Sequence, residues 1–564
     1  MQFSDYKYMR PDIKKEKEKR ELLAKKILEC KTKDEFLKYL HEKENDTYFE
    51  TMASLCSVRN TIDMNDKFYK EEQAFFDEEG PNLDASEILL LKAITVSPFR
   101  KDAEKEIGTY LFKKYDLELL TKDEKLVNLQ IKENQKMLEY RELIASAKIN
   151  FKGGVYNLPQ MQKFTEDENR ETRKQAKERI AEFFLNNQDH FDEIYDSLVK
   201  LRTEEAKVKG YENFVKLGYN LLGRTDYNKD DVKRYREQIK KYVVPVMLKI
   251  RKKQAERVKI KDFKYYDKPL FYLDGNPTPK GDREKLVSLA KEMYHDLSKE
   301  TDEFFTFMTD RKLMDLDSKP GKTSGGYCTY FPDFKSPFIF ANFNKTSHDV
   351  TVLTHEAGHA FQVYSSRSIP FSSLTWPTLE ACEIHSMSME YITWPFMEKF
   401  FKEDTNKFFY AHLAEDICFL PYGALIDEFQ HIVYENPDLT PKERRQAFRK
   451  LEKEYLPFLD YDGQKFFEDG GMWFVQGHVF TSPFYYIDYT LAEVCAFQFF
   501  LENRSDKKRA WERYLKLCKL GGQHPFTKLL ELVGLDNPFS EGFLENMMKK
   551  LTPVLEELEK NLKQ

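Results

Sequence analysis

Five consecutive residues, His355-Glu356-Ala357-Gly358-His359, constrain the fold of this chain more than any other stretch. Around them, Val350, Leu353, Ala357 and Phe361 recur at spacings of three and four residues, which predicts a helix with one buried stripe. Two histidines four positions apart on a helix lie about 40° apart around its axis, so both imidazoles can reach one ion. The fold therefore has to bring both imidazoles to a shared site beside a packed helix face.

The chemistry of this motif points to zinc. Zinc is the ion most often held by histidines in this arrangement, and its catalytic sites take three protein ligands and leave a fourth position for water. Glu356 is turned by about 100° from its neighbours on the helix, close to the ion without binding it. A general base for a zinc-bound water stands in this position. The motif predicts one zinc ion per chain and a hydrolase, most simply a peptidase.

The third zinc ligand has to come from further along the chain. The longer H-E-x-x-H-x-x-G-x-x-H pattern is not met, because Gln362 and Ser365 stand where that pattern has other residues. The next acidic residues are Glu380, Glu383 and Glu390, and spacing alone does not choose among them. Gly358 costs about 1 kcal/mol in a helix interior relative to alanine, so we expect it to allow close approach of substrate or of a neighbouring element.

Composition limits the class of protein. The chain has 564 residues, 41% of them hydrophobic and 33% charged, with a net charge of −6, which is typical of a soluble globular protein of two or more domains. No long basic block is interleaved with aromatics, which argues against nucleic acid as the principal partner. No secretory signal and no apolar stretch of about 20 residues is present, so no membrane association is expected. The seven cysteines are scattered without a C-x-x-C pair, which favours a reduced, cytoplasmic protein.

The periodicity of the chain predicts a mainly α fold. Residues 337–344 are β-rich and bounded by turn residues, so they predict a strand that leads into the motif helix, which Ser347 or Asp349 could cap. Aromatics, Pro and Gly interrupt the helical pattern at residues 262–282. The segments that carry helical periodicity and good helix formers are residues 11–45, 66–78, 86–97, 101–149 and 167–209.

The spacing of Glu383, Ser386 and Glu390 resembles the E-x-x-S-x-x-x-E segment of the M3 family of zinc metallopeptidases, which includes thimet oligopeptidase and the oligoendopeptidase F group. The chain is similar to the oligoendopeptidase F and Pz-peptidase branch. The resemblance implies that His355, His359 and Glu383 are the zinc ligands.

The same resemblance implies a role for Glu380 and a general architecture. Glu380 becomes a candidate to orient a ligand histidine. The implied fold is helical and two-lobed around a deep central channel, with a small β-sheet next to the motif helix. Residues 1–200 would form part of the channel wall, and residues 201–564 would form the catalytic region.

A second resemblance lies far downstream, in the segment Gly477-His478-Val479-Phe480-Thr481-Ser482-Pro483-Phe484-Tyr485-Tyr486-Ile487-Asp488-Tyr489. In the M3 family a histidine and tyrosines in this place hydrogen-bond the substrate carbonyl and the transition-state oxyanion. Carried over, His478, Tyr486 and Tyr489 are catalytic candidates and Tyr485 is a substrate-binding candidate.

Two further segments resemble the substrate-binding elements of the family. Gly325, Gly326 and Tyr327 resemble its substrate-binding turn, and strand 337–344 resembles its edge strand. An edge strand could pair with the extended backbone of a peptide.

The sequence thus predicts a zinc-dependent endopeptidase that hydrolyses internal bonds of short unfolded oligopeptides, with Glu356 as general base. One alternative is a zinc peptidase of the dipeptidyl carboxypeptidase kind, which needs a cationic group for the substrate C-terminus. Another is a non-catalytic helical peptide-binding scaffold with a structural zinc, for which Cys382 is the nearby candidate for a fourth ligand. The sequence leaves open whether the protein is a monomer or a homo-oligomer.

Overall fold

The computed structural model describes residues 1–562 and consists mainly of α-helices. Asp12 and Thr32 cap the first two helices by accepting hydrogen bonds from backbone N–H groups in the first turn, which satisfies donors that have no partner within the helix. The first eight helices are α1 (Ile13–Glu29), α2 (Lys33–Asn45), α3 (Tyr48–Ile62), α4 (Lys67–Glu79), α5 (Asp84–Val96), α6 (Arg100–Ile107), α7 (Tyr110–Thr121) and α8 (Val127–Ala145).

A short antiparallel hairpin separates this block from the next one. Its strands are β1 (Ile149–Phe151) and β2 (Gly154–Tyr156). The helices that follow are α9 (Leu158–Thr165), α10 (Arg170–Asn186), α11 (Gln188–Val208), α12 (Phe214–Leu221), α13 (Lys229–Gln238), α14 (Val244–Arg257), α15 (Arg283–Leu297) and α16 (Lys299–Asp310). The gap between α14 and α15 contains the predicted interruption at residues 262–282.

A three-stranded sheet precedes the motif helix, with strands β3 (Met314–Asp317), β4 (Tyr327–Phe331) and β5 (Ser336–Phe343). Its order is β3-β5-β4, with β3 parallel and β4 antiparallel to β5. The predicted edge position of strand 337–344 is therefore wrong: β5 is the central strand, and β3 and β4 are the edges. Residues 336–341 are all buried, as expected for a strand covered on both faces.

The remaining helices build the region around the motif. They are α17 (His348–Ser366), α18 (Leu379–Ile392), α19 (Glu398–Phe401), α20 (Thr405–Glu435), α21 (Pro441–Tyr455), α22 (Lys465–Glu468), α23 (Gly477–Thr481), α24 (Tyr486–Ser505), α25 (Lys507–Leu520), α26 (Phe526–Val533) and α27 (Phe543–Asn561). The most extensive helix packing joins α18 to α24 and α17 to α18, and β5 packs on α17. The predicted fold class, mainly α with a small sheet next to the motif helix, is confirmed.

Buried apolar side chains form one main core that extends from Tyr6 to Leu558. A separate smaller cluster lies among helices α1, α2, α5, α6 and α7, and Phe371 and Leu374 from the loop after α17 join it. The predicted division at residue 200 falls inside the continuous helix α11, and the two-region description stays a prediction.

Among the described residues, no helix combines the length and the apolar character that crossing a bilayer requires.

Candidate active site

Helices α17 and α18 bring together the three residues predicted to bind zinc. The side chains of His355 and His359 project from α17, and Glu383 faces them from α18. Oε2 of Glu383 lies 3.2 Å from Nε2 of His355 and 3.2 Å from Nε2 of His359. One potential ligand atom from each residue lies within 4.8 Å of the others. Of the three glutamates that spacing left open, Glu383 is the one that faces both imidazoles.

Gly358 explains how the two helices approach so closely. A Cβ atom at this position would lie 2.6 Å from the carbonyl oxygen of His385 and 2.7 Å from Cα of Ser386, both in α18. Real side chains do not tolerate such distances, so any larger residue would push α17 away from α18. The expectation that Gly358 admits a neighbouring element is confirmed.

The orientation of His355 is set by a chain of hydrogen bonds behind it. Its Nδ1 lies 2.8 Å from Oε1 of Glu390, whose Oε2 lies 2.8 Å from Nε2 of His412. The indole N–H of Trp394 donates to Nδ1 of His412 at 3.0 Å, so Nε2 of His412 carries a proton and donates to Glu390. With Nδ1 of His355 donating to the same carboxylate, its Nε2 is left free to bind a metal.

Sequence reasoning missed this role of Glu390, and the structure gives Glu380 a different environment. Glu380 is fully buried and neither of its carboxyl oxygens has a hydrogen-bond partner, so it contacts neither ligand histidine through a hydrogen bond. Burial raises the pKa of Glu380 to about 7.

The signal for Glu390 was its place two turns after Glu383 on the same helix face. No local signal pointed to His412, which comes from α20.

Glu383 is itself held by two hydroxyl groups. Ser386 donates to Oε2 at 2.8 Å, and the Tyr485 hydroxyl donates to Oε1. Tyr485, which the sequence placed among the substrate-binding residues, therefore contacts the third ligand of the candidate metal site.

Glu356 lies next to this group with a free carboxyl oxygen. Its side chain is 4% exposed, and Oε2 is buried without a hydrogen-bond partner. A Cβ atom on Gly326 would lie 3.0 Å from Oε1 of Glu356, so the glycine leaves room beside the carboxyl group. Burial raises the pKa of Glu356 to about 7, which is the range that suits a general base at neutral pH.

The glycine turn before β4 lies beside Glu356. Gly325 and Gly326 are exposed, and Gly325 has a φ of 93°, a conformation that favours glycine. Asn342 holds this loop by donating to the carbonyl oxygen of Gly325 at 2.8 Å. The Tyr327 ring stacks on Phe340, and its hydroxyl bonds Oγ1 of Thr61 in α3 at 2.6 Å. The turn is thus open at its glycines, while Tyr327 joins the sheet to the N-terminal helices.

The downstream segment brings His478 together with all three candidate tyrosines. The imidazole centroid lies 5.2–5.4 Å from the rings of Tyr485, Tyr486 and Tyr489. Nε2 of His478 lies 3.1 Å from the Tyr489 hydroxyl, and Nδ1 lies 2.9 Å from the side-chain nitrogen of Gln476. Burial lowers the pKa of His478 to about 4, so the ring is neutral at pH 7 and can donate through only one nitrogen.

The backbone just before Tyr485 has a strained conformation and is held by hydrogen bonds on both sides of Phe484, which together form a clamp. Phe484 has a φ of 66°, which is uncommon for a bulky residue. Its N–H donates to Oε1 of Gln430 at 2.9 Å, and its carbonyl accepts from Arg224 at 2.7 Å. The same Arg224 nitrogen bonds Asp488 at 2.6 Å, and both of these charged side chains are fully buried. A Cβ on Gly218 would lie 2.8 Å from the Phe484 ring, so this glycine also makes room for the turn.

The donor set fits a zinc ion with an open coordination position. Within residues 1–562, the group of His, Cys, Asp and Glu that could hold an ion has three members, which is the number found in catalytic zinc sites. Cys382, the candidate for a fourth ligand, is not a member. Its buried thiol instead points to the carbonyl of Pro377, 3.6 Å away.

Comparison with known proteins shows which family the chain belongs to. Residues 163–549 match the sequence model of Peptidase family M3, and residues 3–122 match that of the Peptidase M3 N-terminal domain. An oligoendopeptidase F homolog from Borreliella burgdorferi is 29% identical over 257 residues, which cover 44% of this chain and 42% of that protein. The chromosomal oligoendopeptidase F of Lactococcus lactis subsp. cremoris is 27% identical over 40% of this chain and 36% of that protein. The matches therefore span about two fifths of the length of these relatives.

Solved structures match over the full length. The structure of PZ peptidase A with an inhibitor is 47% identical, with a TM-score of 0.97 and 99% of both chains covered. A protein from Bacillus anthracis strain Ames, assigned as an oligoendopeptidase F, is 45% identical, with a TM-score of 0.92 over 99% of this chain and 98% of that one. Because the M3 model matches well over half of its residues, the chain belongs to peptidase family M3.

Proposed function

We propose that the protein is a zinc-dependent endopeptidase that hydrolyses internal bonds of short unfolded oligopeptides. The observation that carries this proposal is the convergence of His355, His359 and Glu383 beside the unpaired carboxyl oxygen of Glu356. Two imidazoles and one carboxylate are the donors that hydrolytic zinc sites use, and an adjacent free carboxylate is what such sites use as a base.

His355, His359 and Glu383 would hold the ion. Zinc, when bound, supplies Lewis acidity that polarises a peptide carbonyl and makes water more acidic. The protein's contribution is to hold the donors before the ion arrives. Glu390 orients His355, and Tyr485 orients Glu383, so little rearrangement is needed to bind an ion.

Glu356 would act as the proton carrier. Its free Oε2 can accept a proton from the attacking water and then donate it to the leaving amine. Burial, which raises the pKa of Glu356, favours its holding the proton between the two transfers.

His478, Tyr486 and Tyr489 would donate hydrogen bonds to the substrate carbonyl and to the oxyanion that develops from it. Removal of one such donor typically costs about 10²–10³ in rate. The exposed Gly325 and Gly326, at the start of edge strand β4, would let a peptide backbone approach Glu356.

The structure's charges favour an endopeptidase over the dipeptidyl carboxypeptidase alternative. A carboxypeptidase needs a cation for the substrate C-terminus. Among the described residues, the cavity beside the site is lined by acidic, aromatic and neutral polar side chains and one methionine, and by no lysine or arginine. The structural-zinc alternative requires a fourth protein ligand, and the three-membered donor group does not supply one.

We also propose a cytoplasmic location, which the seven unpaired cysteines support, since a reducing compartment keeps thiols free.

The proposal is tested with an internally quenched peptide of about ten residues, with and without chelator, and with the Glu356→Gln protein. We expect chelation to abolish cleavage, zinc to restore it, and Glu356→Gln to lower kcat by about 10²–10⁴ with the metal content unchanged. Product analysis separates the enzyme classes, because an endopeptidase cleaves a C-terminally amidated peptide internally. A metal-replete Glu356→Gln protein with wild-type turnover would remove the proposed base.

A further inference from the structure

A cavity of about 280 Å³ adjoins the candidate metal site on the side of α20 and α24. Two parts of its wall belong to the candidate active site. Glu390 bonds the ligand histidine His355, and His478 and Tyr489 are the candidate hydrogen-bond donors to the substrate. Its lining residues are Met387, Glu390, Asp416, Phe419, Gln476, His478, Tyr486, Tyr489 and Glu493.

Three acidic side chains line the cavity, and one of their carboxyl groups has an oxygen without a hydrogen-bond partner. Glu390 is bonded to His355 and His412, and Asp416 accepts from the Tyr391 hydroxyl at 2.6 Å. Glu493 is different: it is 3% exposed, it faces the cavity, and its buried Oε1 has no hydrogen-bond partner. Buried carboxyl groups are normally paired, so an unpaired one in a cavity wall indicates a missing partner.

The charges of this acidic cluster indicate that the missing partner is a cation. Burial raises the pKa of Asp416 to about 6 and that of Glu493 well above its usual range, and Asp416 and Glu390 raise the pKa of Glu493 further. Like charges that raise one another's pKa are relieved by a cation placed among them. No lysine or arginine of the described chain lines the cavity to provide it.

Part of the remaining wall of the cavity is apolar and suits the methylene groups of a lysine or arginine side chain. Met387 and Phe419 offer apolar surface, and the Phe419 ring meets the Tyr486 ring edge-on at 5.8 Å. Lysine and arginine bury their methylene groups against such surface and place the charged end at a polar group. Aromatic faces add attraction for the cation.

We propose that this cavity is a subsite that binds a cationic group of the peptide substrate next to the scissile bond, through Glu493 and Asp416. The inference rests on the proposed endopeptidase function and names its substrate class. The cation is the side chain of a lysine or arginine, because an N-terminal ammonium group next to the scissile bond would place the cleavage at the first peptide bond, which is not an internal bond.

The test compares quenched peptides that differ at one position, with lysine, norleucine or glutamate at each site flanking the cleaved bond. Norleucine has nearly the length of lysine without its charge. We expect lysine to exceed norleucine at one position by about ten-fold or more in kcat/KM, with glutamate below both. All peptides carry an acetylated N-terminus, which keeps the terminal ammonium group out of the comparison.

Substitutions in the cavity wall then test whether Glu493 and Asp416 cause the preference for lysine. In Glu493→Gln and Asp416→Asn proteins, the ratio of kcat/KM for the lysine over the norleucine peptide falls towards one, whereas Glu493→Asp, which keeps a carboxyl group, retains part of it. Glu205→Gln is the matched control: Glu205 in α11 is also 3% exposed with an unpaired oxygen, but it does not line the cavity. Its ratio should stay at the wild-type value.

The results distinguish a failure of the cation subsite from a failure of the proposed endopeptidase function. If wild-type protein cleaves lysine and norleucine peptides equally at every position, the subsite is refuted while the endopeptidase stands. If no peptide is cleaved, the proposed function fails. Calorimetric binding of the same peptides to Glu356→Gln protein then decides the subsite, and equal affinities for lysine and norleucine peptides overturn it.

Discussion

Helix α17 and the segment 476–489 both supply functional side chains to one site, but they position them in different ways. In α17 the helical repeat alone places His355 and His359 on one side and Glu356 beside them. In the later segment, a short helix, a turn and the start of α24 position His478 and the tyrosines, with Phe484 in a left-handed conformation between them. The first arrangement is local, whereas the second depends on distant residues such as Arg224 and Gln430.

This difference determines how each region tolerates substitution. A regular helix satisfies its own backbone, so its site fails mainly when a ligand is lost or when α18 is pushed away. The irregular segment depends on buried polar contacts, and removal of one partner leaves another buried group unpaired.

The largest expected effect comes from Arg224→Met, which removes the clamp on the irregular segment. Asp488, fully buried, would lose its charged partner, and the Phe484 carbonyl would lose its donor. Loss of one member of a buried ion pair costs about 3–5 kcal/mol in the free energy of unfolding. Denaturant titration measures the loss, and metal content measures whether the α17 site survives.

Arg224→Lys is the matched variant, because it keeps the charge but not the planar guanidinium group, and it should lose less stability. If Arg224→Met unfolds at the wild-type denaturant concentration, the segment does not depend on this clamp.

A pair of glycine substitutions compares the two regions directly. In Gly358→Ala the new methyl group meets α18 at 2.6 Å, so we expect a loss of about 1–3 kcal/mol in stability together with weaker metal binding. In Gly477→Ala the nearest atoms belong to Tyr140 at 3.6 and 3.7 Å, an ordinary contact, so stability should change by less than about 1 kcal/mol. Thermal unfolding of both proteins provides the comparison, and equal losses would contradict it.

The smallest effect concerns the link between the regions, the hydrogen bond from Tyr485 to Glu383. Tyr485→Phe removes a group that orients the third ligand, and we expect metal affinity to fall about ten-fold, equal to about 1.4 kcal/mol. Tyr486→Phe, one residue along, should leave metal affinity unchanged. Competition with a chromophoric chelator measures both affinities, and equal values for the two variants would show that the link does not support the metal site.

The sequence predicted those features that depend on a short repeat. The mainly helical character of the chain, the motif and the close approach at Gly358 follow from spacing and from residue type. The role of Glu390 was missed because its partner His412 lies on α20, and the central position of β5 was missed because strand order depends on β3, whose pairing no local pattern reveals. The hydrogen bond from Arg224 to the Phe484 carbonyl joins residues 260 positions apart, so no spacing rule could predict it.

Under the proposed function, helices α17 and α18 together bind one metal ion. X-ray diffraction at the zinc absorption edge, from crystals of zinc-loaded protein, locates that ion. We expect one anomalous peak about 2.0–2.2 Å from Nε2 of His355, Nε2 of His359 and a carboxylate oxygen of Glu383, with no fourth protein ligand. A peak elsewhere, or a closed site with four protein ligands, would contradict it.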